Sequence, residues 1–171
     1  MNIMIAEDEH DIAMQYKIAL EERHHHVTIA EDGEECLKAY RNALGRESEI
    51  ENGSPFDVVV LDYRMPKKDG MEVAKEILEL NPHQRIIFAS AYVKETLVDS
   101  VKQLKQVVEL IQKPFELDVL VDTIENKEAY AELEKLNVKL NFSSYNENNL
   151  TSEQIEQITE ALGKILKVRA F

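Results

Sequence analysis

The sequence predicts an α/β fold: a doubly wound, five-stranded parallel sheet with helices on both faces, followed by a helical C-terminal extension. Three observations carry this. Short apolar runs alternate five times with longer stretches whose apolar residues fall at helical spacing, the pattern of strand–helix repeats that feed a parallel sheet. The run Val58-Val59-Val60-Leu61 is apolar at every position, as a central strand covered on both faces requires. Beyond about Asn126 the alternation stops, which sets the extension apart. Right-handed crossovers place the helices on both faces. The strand order 2-1-3-4-5 is taken by analogy with doubly wound sheets, because periodicity alone does not give it.

Each element has its own signal. Ile3-Met4-Ile5-Ala6 is the first strand and ends abruptly in Glu7-Asp8-Glu9. Ile12, Tyr16, Ala19 and Leu20 then repeat at helical spacing. Val27 to Ala30 is the second strand, and Glu34 to about Leu44 is a helix with Cys36, Leu37, Tyr40 and Leu44 on one side. The polar, turn-rich stretch from Leu44 to Pro55 is a surface loop, longer than the usual ~4–6 residues. Asp57 begins the third strand, and Met71, Ala74 and Leu78 mark the third helix, which stops at Asn81-Pro82. Ile86 to Ala89 is the fourth strand; Leu97, Val101 and Leu104 line the fourth helix; Val107 to Ile111 is the fifth strand; Leu117, Leu120, Val121 and Ile124 begin the fifth helix.

The domain boundary is expected at residue 126, giving 1–126 and an extension 127–171. Tyr130, Leu133, Leu136 and Leu140 suggest a further helix or a continuation of the fifth, and residues 141–150 form a polar linker. Thr151-x-x-Gln154 then fits a capping box, and Leu150 with Ile155 fits a hydrophobic staple. The terminal helix carries Ile155, Ile158, Leu162, Ile165 and Leu166 on one face, with Glu153 early and Lys167 late, as the helix dipole favours. That stripe suits docking on the first domain, a dimer or a partner helix.

Composition limits the function classes. Acidic residues number 33 against 20 basic ones, for a formal net charge of -13. Such a surface repels nucleic acid and anionic lipid and favours cations and basic partner patches. DNA is therefore disfavoured as a direct partner. No run approaches the ~20 apolar residues that span a membrane, and no secretory signal is evident at Met1-Asn2-Ile3-Met4. A single cysteine, Cys36, excludes an internal disulfide and is expected to be a packed thiol in a reducing, cytoplasmic setting. His24-His25-His26 is expected to be exposed loop between helix and strand rather than a metal site.

In a doubly wound sheet, function gathers beyond the carboxyl ends of the strands. Glu7 and Asp8 follow the first strand, Asp62 the third, Ser90 the fourth and Lys113 the fifth. Three carboxylates packed together repel unless a cation joins them, and hard oxygen donors with open positions suit Mg²⁺. A carboxylate beside such an ion is competent as a nucleophile toward phosphorus. The transferring group's charge would then be met by the ion, an ammonium and a hydroxyl.

Ile-Ala-Glu7-Asp8-Glu9, Asp57-Val-Val-Val-Leu-Asp62, Met65-Pro66-Lys-Lys-Asp69-Gly70, Ala89-Ser90-Ala91 and Lys113-Pro114-Phe115 together resemble the response-regulator receiver domains of two-component signalling. The resemblance covers roughly residues 1–126 and implies a flavodoxin-like sheet. It implies Asp62 as phosphoacceptor, Asp8 as direct Mg²⁺ ligand and Glu7 as a ligand mainly through water. The backbone carbonyl of Arg64 would complete the protein ligands, with Mn²⁺ an acceptable substitute ion. Ser90 and Lys113 would bind phosphoryl oxygens, and the Lys113–Pro114 bond would be cis. The resemblance further implies a histidine kinase or phosphotransfer protein as donor, and a downstream protein partner. Its output face, which would also serve a homodimer, is made by the fourth helix, the fifth strand and the fifth helix.

Two departures stand out. The family's aromatic residue three positions before the lysine is Leu110 here, and Gln106-Val107 replaces a common Gly-Ala. Tyr92, two residues after Ser90, is then the candidate to take over part of the readout. Arg64, Ala91, Tyr92 and Leu110 are the candidate modulators of the phosphoryl state. Two alternatives compete. A DNA-binding regulator needs more than the short tail supplies, and an aspartyl-nucleophile phosphatase needs a second acid where Arg64 stands.

Overall fold

The structure is a computed structural model that describes residues 1–45, 54–91, 104, 108–128, 130–132 and 134–135. Tyr92, the expected fourth helix apart from Leu104, the middle of the 44–55 loop, the linker 141–150 and the terminal helix lie outside the described residues. The chain divides into two compact units, Met1–Val121 and Asp122–Phe171.

Five parallel strands form one sheet in the order β2-β1-β3-β4-β5. They are β1 (Asn2–Ala6), β2 (His26–Ala30), β3 (Val58–Leu61), β4 (Ile86–Ser90) and β5 (Val108–Gln112). Four helices are α1 (His10–Glu21), α2 (Gly33–Leu44), α3 (Gly70–Leu80) and α4 (Leu117–Glu125), the last being the fifth helix of the sequence reading, and the described residues from 127 to 135 are helical as well. The expected fold class therefore stands. The two central strands, β1 and β3, are joined in the register Ile3↔Val58 to Ala6↔Leu61. All four residues of β3 are buried, which is why no polar residue interrupts it.

Boundaries differ by small, interpretable amounts. β4 runs on to Ser90 and β5 to Gln112 because those two residues pair with each other in the ladder; backbone pairing, not apolar character, extends both strands. His26 is the first residue of β2, paired with Asn2, so only His24 and His25 belong to the connection. Asp57 stands just before β3, where its carboxylate accepts the Asn2 N–H at 2.7 Å.

The core lies between the sheet and its helices. Met4, Cys36, Tyr40, Val59, Leu61, Ile77 and Phe88 are fully buried in one cluster. Cys36 is thus the packed thiol expected of it, its sulfur 3.4 Å from the Met4 sulfur. Helix starts follow side-chain chemistry. Asp32 caps α2 by accepting the Glu35 N–H. Asp69 caps α3 in a reciprocal box with Glu72, which fixes where the loop after β3 must end.

Candidate functional site

Parallel strands deliver their carboxyl ends to one edge of the sheet, and the central pair β1–β3 sets the middle of that edge. Glu7 follows β1 and donates its N–H to the Ala30 carbonyl at 3.1 Å. Asp62 follows β3 and donates its N–H to the Ala6 carbonyl at 2.9 Å. These two bonds continue the ladder by one residue, so the acids are placed by the sheet itself. Lys113 follows β5 and is held in the same way, its N–H donating to the Ser90 carbonyl at 2.9 Å. The peptide bond from Lys113 to Pro114 is cis, as the motif implied.

The side chains then converge. Glu7, Asp8 and Asp62 each offer a carboxylate oxygen, and these lie within 4.8 Å of one another. The Lys113 Nζ donates to Glu7 Oε2 at 2.6 Å and stands 3.7 Å from Asp62 Oδ2. Asp62 Oδ1 accepts the Tyr63 N–H at 2.7 Å. Glu7 is 1% exposed, whereas Asp8 faces solvent. One acid is therefore sunk beneath the site and another lies on its solvent side.

Burial dominates the electrostatics of the two inner acids. It raises the Glu7 carboxyl above the ordinary range, against the pull of Lys113. It raises Asp62 as well, opposed by Lys113 and by the Tyr63 and Arg64 backbone N–H groups, and reinforced by Asp8. Both acids hold negative charge at a cost that a cation would relieve. Glu7 Oε1 is moreover buried with no hydrogen-bond partner among the described residues. A buried carboxylate oxygen needs a partner, and an all-oxygen donor set open to solvent on the Asp8 side fits a hard divalent ion such as Mg²⁺.

The chain matches the response-regulator receiver domain family over residues 3–125. It belongs to that family. Among its relatives, response regulator RR06 of Streptococcus pneumoniae is 35% identical over 124 residues, covering 72% of this chain and 51% of RR06. The receiver protein CpdR of Brucella abortus is 29% identical over 126 residues, covering 72% of this chain and 92% of CpdR. The chain thus spans about half the length of RR06. Of solved structures, TrrA of Thermotoga maritima in complex with Mg²⁺–BeF matches with a TM-score of 0.59 at 29% identity, covering 73% of this chain and 96% of that one. This chain has the CheY-like fold and is a response-regulator receiver domain.

The remaining sequence-derived residues of the receiver fall into place unevenly. Ser90 is buried at the end of β4, and Ala91 beyond it is exposed. The Arg64 side chain is exposed. Leu110 pairs with Phe88 and packs against the core, so the position that is usually aromatic is filled here by an aliphatic side chain anchored in the sheet. Sequence reasoning missed Tyr16, whose ring stacks on Phe115 with centroids 5.6 Å apart. Burial, then the charges of Glu7, Asp62 and Glu9, push its phenol up. Helical spacing marked Tyr16 as core, but nothing local tied it to the Lys113-Pro114-Phe115 turn. No helix among the described residues is long and apolar enough to cross a membrane.

Proposed function

We propose that this receiver accepts a phosphoryl group on Asp62 in a Mg²⁺-dependent reaction and changes conformation to control a partner protein. The observation that carries this reading is one ammonium, Lys113, set 2.6 Å from Glu7 and 3.7 Å from Asp62 over a cluster of three carboxylates. In this reading Asp8 and Asp62 would hold the ion directly and Glu7 mainly through water, and the Arg64 carbonyl would complete the protein ligands. The ion supplies neutralisation of the charge on the transferring oxygens. Mn²⁺ would serve in its place.

The donor is a histidine kinase or phosphotransfer protein. An Asp62 carboxylate oxygen attacks phosphorus; the new O–P bond forms as the P–N bond to the donor imidazole breaks, and that ring nitrogen keeps the electron pair. The Lys113 ammonium and Ser90 hydroxyl bind phosphoryl oxygens. Dephosphorylation uses water as nucleophile: its oxygen attacks phosphorus and gives up a proton to solvent, the Asp62 O–P bond breaks with the carboxylate keeping the electron pair, and inorganic phosphate leaves. The chain thus catalyses its own phosphoryl transfer and autodephosphorylation without turning over a separate substrate. Arg64, Ala91, Tyr92 and Leu110 tune that lifetime and its readout.

Phosphorylation adds ~1.5–2 negative charges and shifts a pre-existing balance between two states. The output surface is β5, α4 and the helix expected before β5, or the terminal helix, either of which would also serve a homodimer. Residues 1–126 form the receiver and 127–171 a helical extension with its linker at 141–150, in the cytoplasm. The complexes of TrrA with Mg²⁺–BeF and of Borrelia burgdorferi CheY with CheX, BeF3 and Mg²⁺ support the ion and the partner.

Intact-protein mass after incubation with acetyl phosphate and Mg²⁺ tests the reading. One added phosphoryl group, lost in Asp62→Ala and with chelator, is expected. A folded protein that gains no mass and does not bind beryllofluoride would refute it.

A second reading, control of transcription, is favoured by relatives named transcriptional regulatory proteins, among them DltR, RprY and ZraR. DltR of Streptococcus agalactiae, named a transcriptional regulatory protein, is 29% identical over 152 residues, covering 85% of this chain and 62% of DltR. A salt-dependent affinity for DNA would support it.

A further inference from the structure

The loop from Asp62 to Asp69 carries both the phosphoacceptor and the Arg64 carbonyl, so its shape decides how well the site is assembled. Its neck is closed by the Gly70 N–H donating to the Tyr63 carbonyl at 3.0 Å. Its tip is closed differently. Lys67 donates to Asp32 Oδ2 at 2.6 Å. It does so from a left-handed backbone, φ 66°, where a side chain costs roughly 1–2 kcal/mol. Such a residue persists only where its surroundings hold it.

Asp32 is a firm anchor because it belongs to another element. Its second oxygen accepts the Glu35 N–H at 2.8 Å and caps α2. Glu31 beside it contacts the His10 Nδ1 at 3.1 Å, two residues beyond Asp8. Gly33, the first residue of α2, lies against the loop so closely that a Cβ there would stand 2.3 Å from the Lys68 carbonyl oxygen. Lys68 also pairs with Glu76, which holds Arg41 of α2 at 2.6 Å. The start of α2 therefore grips the tip of the loop through charge and close packing, on residues that do not enter the site.

We propose that Lys67 and Asp32 are positioning residues of the ion site: by clamping the tip of the 62–69 loop to α2, they hold the Arg64 carbonyl and Asp62 in binding geometry. This rests on the Mg²⁺ reading above. The sign of one effect separates clamp from bystander. Lys67 is a cation near a cation site, so its removal as a mere charge leaves Mg²⁺ binding unchanged or tighter. Its removal as a clamp weakens it. Lys67→Met serves well, because Lys and Met carry the same left-handed penalty and the Lys67 side chain is 54% exposed.

The test is calorimetric titration of the full chain with Mg²⁺ alone, alongside amide hydrogen exchange across residues 63–70 in the metal-free protein. Lys67→Met is expected to bind Mg²⁺ about tenfold more weakly, within the range for partners that orient metal ligands, and to exchange faster across the loop. Lys67→Arg, which keeps the pair, should behave like the parent. Equal or tighter Mg²⁺ binding by Lys67→Met overturns the proposal, as does unchanged exchange. A parent protein that takes up no Mg²⁺ instead refutes the ion reading. The clamp is then judged on metal-free exchange alone.

Discussion

The Lys113 Nζ lies 2.6 Å from Glu7 Oε2, so the lysine after the last strand is paired with the acid after the first. The two are buried together, at 15% and 1% side-chain exposure, and the lysine is the main influence pulling Glu7 back toward its ordinary range.

Lys113→Met therefore leaves a buried acid without its counter-charge. At about pH 8 the loss should be about 3 kcal/mol, the scale for breaking a buried pair. Glu7 already has a raised folded pKa, and the substitution raises it further. A raised carboxyl favours the fold fully below its unfolded pKa and loses that benefit as pH climbs through the folded one. The deficit should thus shrink as pH is lowered toward about 5, because a raised carboxyl takes up its proton above the ordinary carboxylate range. Urea denaturation at both pH values checks this, and a deficit independent of pH contradicts it.

Asp62→Asn should stabilise the metal-free protein at neutral pH. Asp62 is raised chiefly by burial, so its ionised form opposes folding above the ordinary carboxylate range. Removing that charge is expected to gain about 1 kcal/mol, roughly 2–4 °C in a chain of this size. Added Mg²⁺ should raise the parent's melting temperature and the variant's much less. A variant that melts below the metal-free parent would contradict the prediction.

Gly70→Ala probes close approach. A Cβ at Gly70 would sit 2.2 Å from the Asp62 carbonyl oxygen, so the backbone bearing Asp62, the proposed phosphoacceptor, must move. A cost of about 1–3 kcal/mol is expected, with slower phosphorylation by acetyl phosphate. Parent-like rates would show that the neck of the loop yields without disturbing the carboxylate.

At the opposite end of the sheet, Arg85 donates twice to Glu109, at 2.8 and 3.0 Å. The pair fastens the edge strand β5 to β4, and its side chains are 6% and 11% exposed. Glu109→Ala removes both of these bonds and should cost about 1–3 kcal/mol, and amide exchange in β5 should accelerate. Joint replacement by Met and Leu should recover most of the loss.

The Cys36 thiol is buried and its pKa pushed up to about 12 by that burial. It should stay unreactive toward a disulfide reagent until the protein is unfolded.

How much of this could be seen in the sequence depends on how local each signal is. Apolar runs and helical stripes are local, and they gave all five strands; the site acids and Lys113 follow from strand ends alone. Charge pairing is not local. Lys113–Glu7, Lys67–Asp32 and Arg85–Glu109 join residues 106, 35 and 24 positions apart, and charged side chains have no periodicity to announce a partner. The Tyr16–Phe115 stack was hidden for the same reason. Strand ends at Ser90 and Gln112 were missed because pairing, not hydropathy, sets them.

The distance along the chain between Glu7 and Lys113 also has a temporal meaning. The acids of β1 and β3 are synthesised well before the ammonium that neutralises them, and 106 residues separate the two halves of the pair. Closing so long a loop comes late and is slow relative to local contacts. A ribosome-bound chain that stops short of β5 has its carboxylates and no counter-charge. The charge-balanced cluster is therefore complete only once β5 and Lys113 have been made.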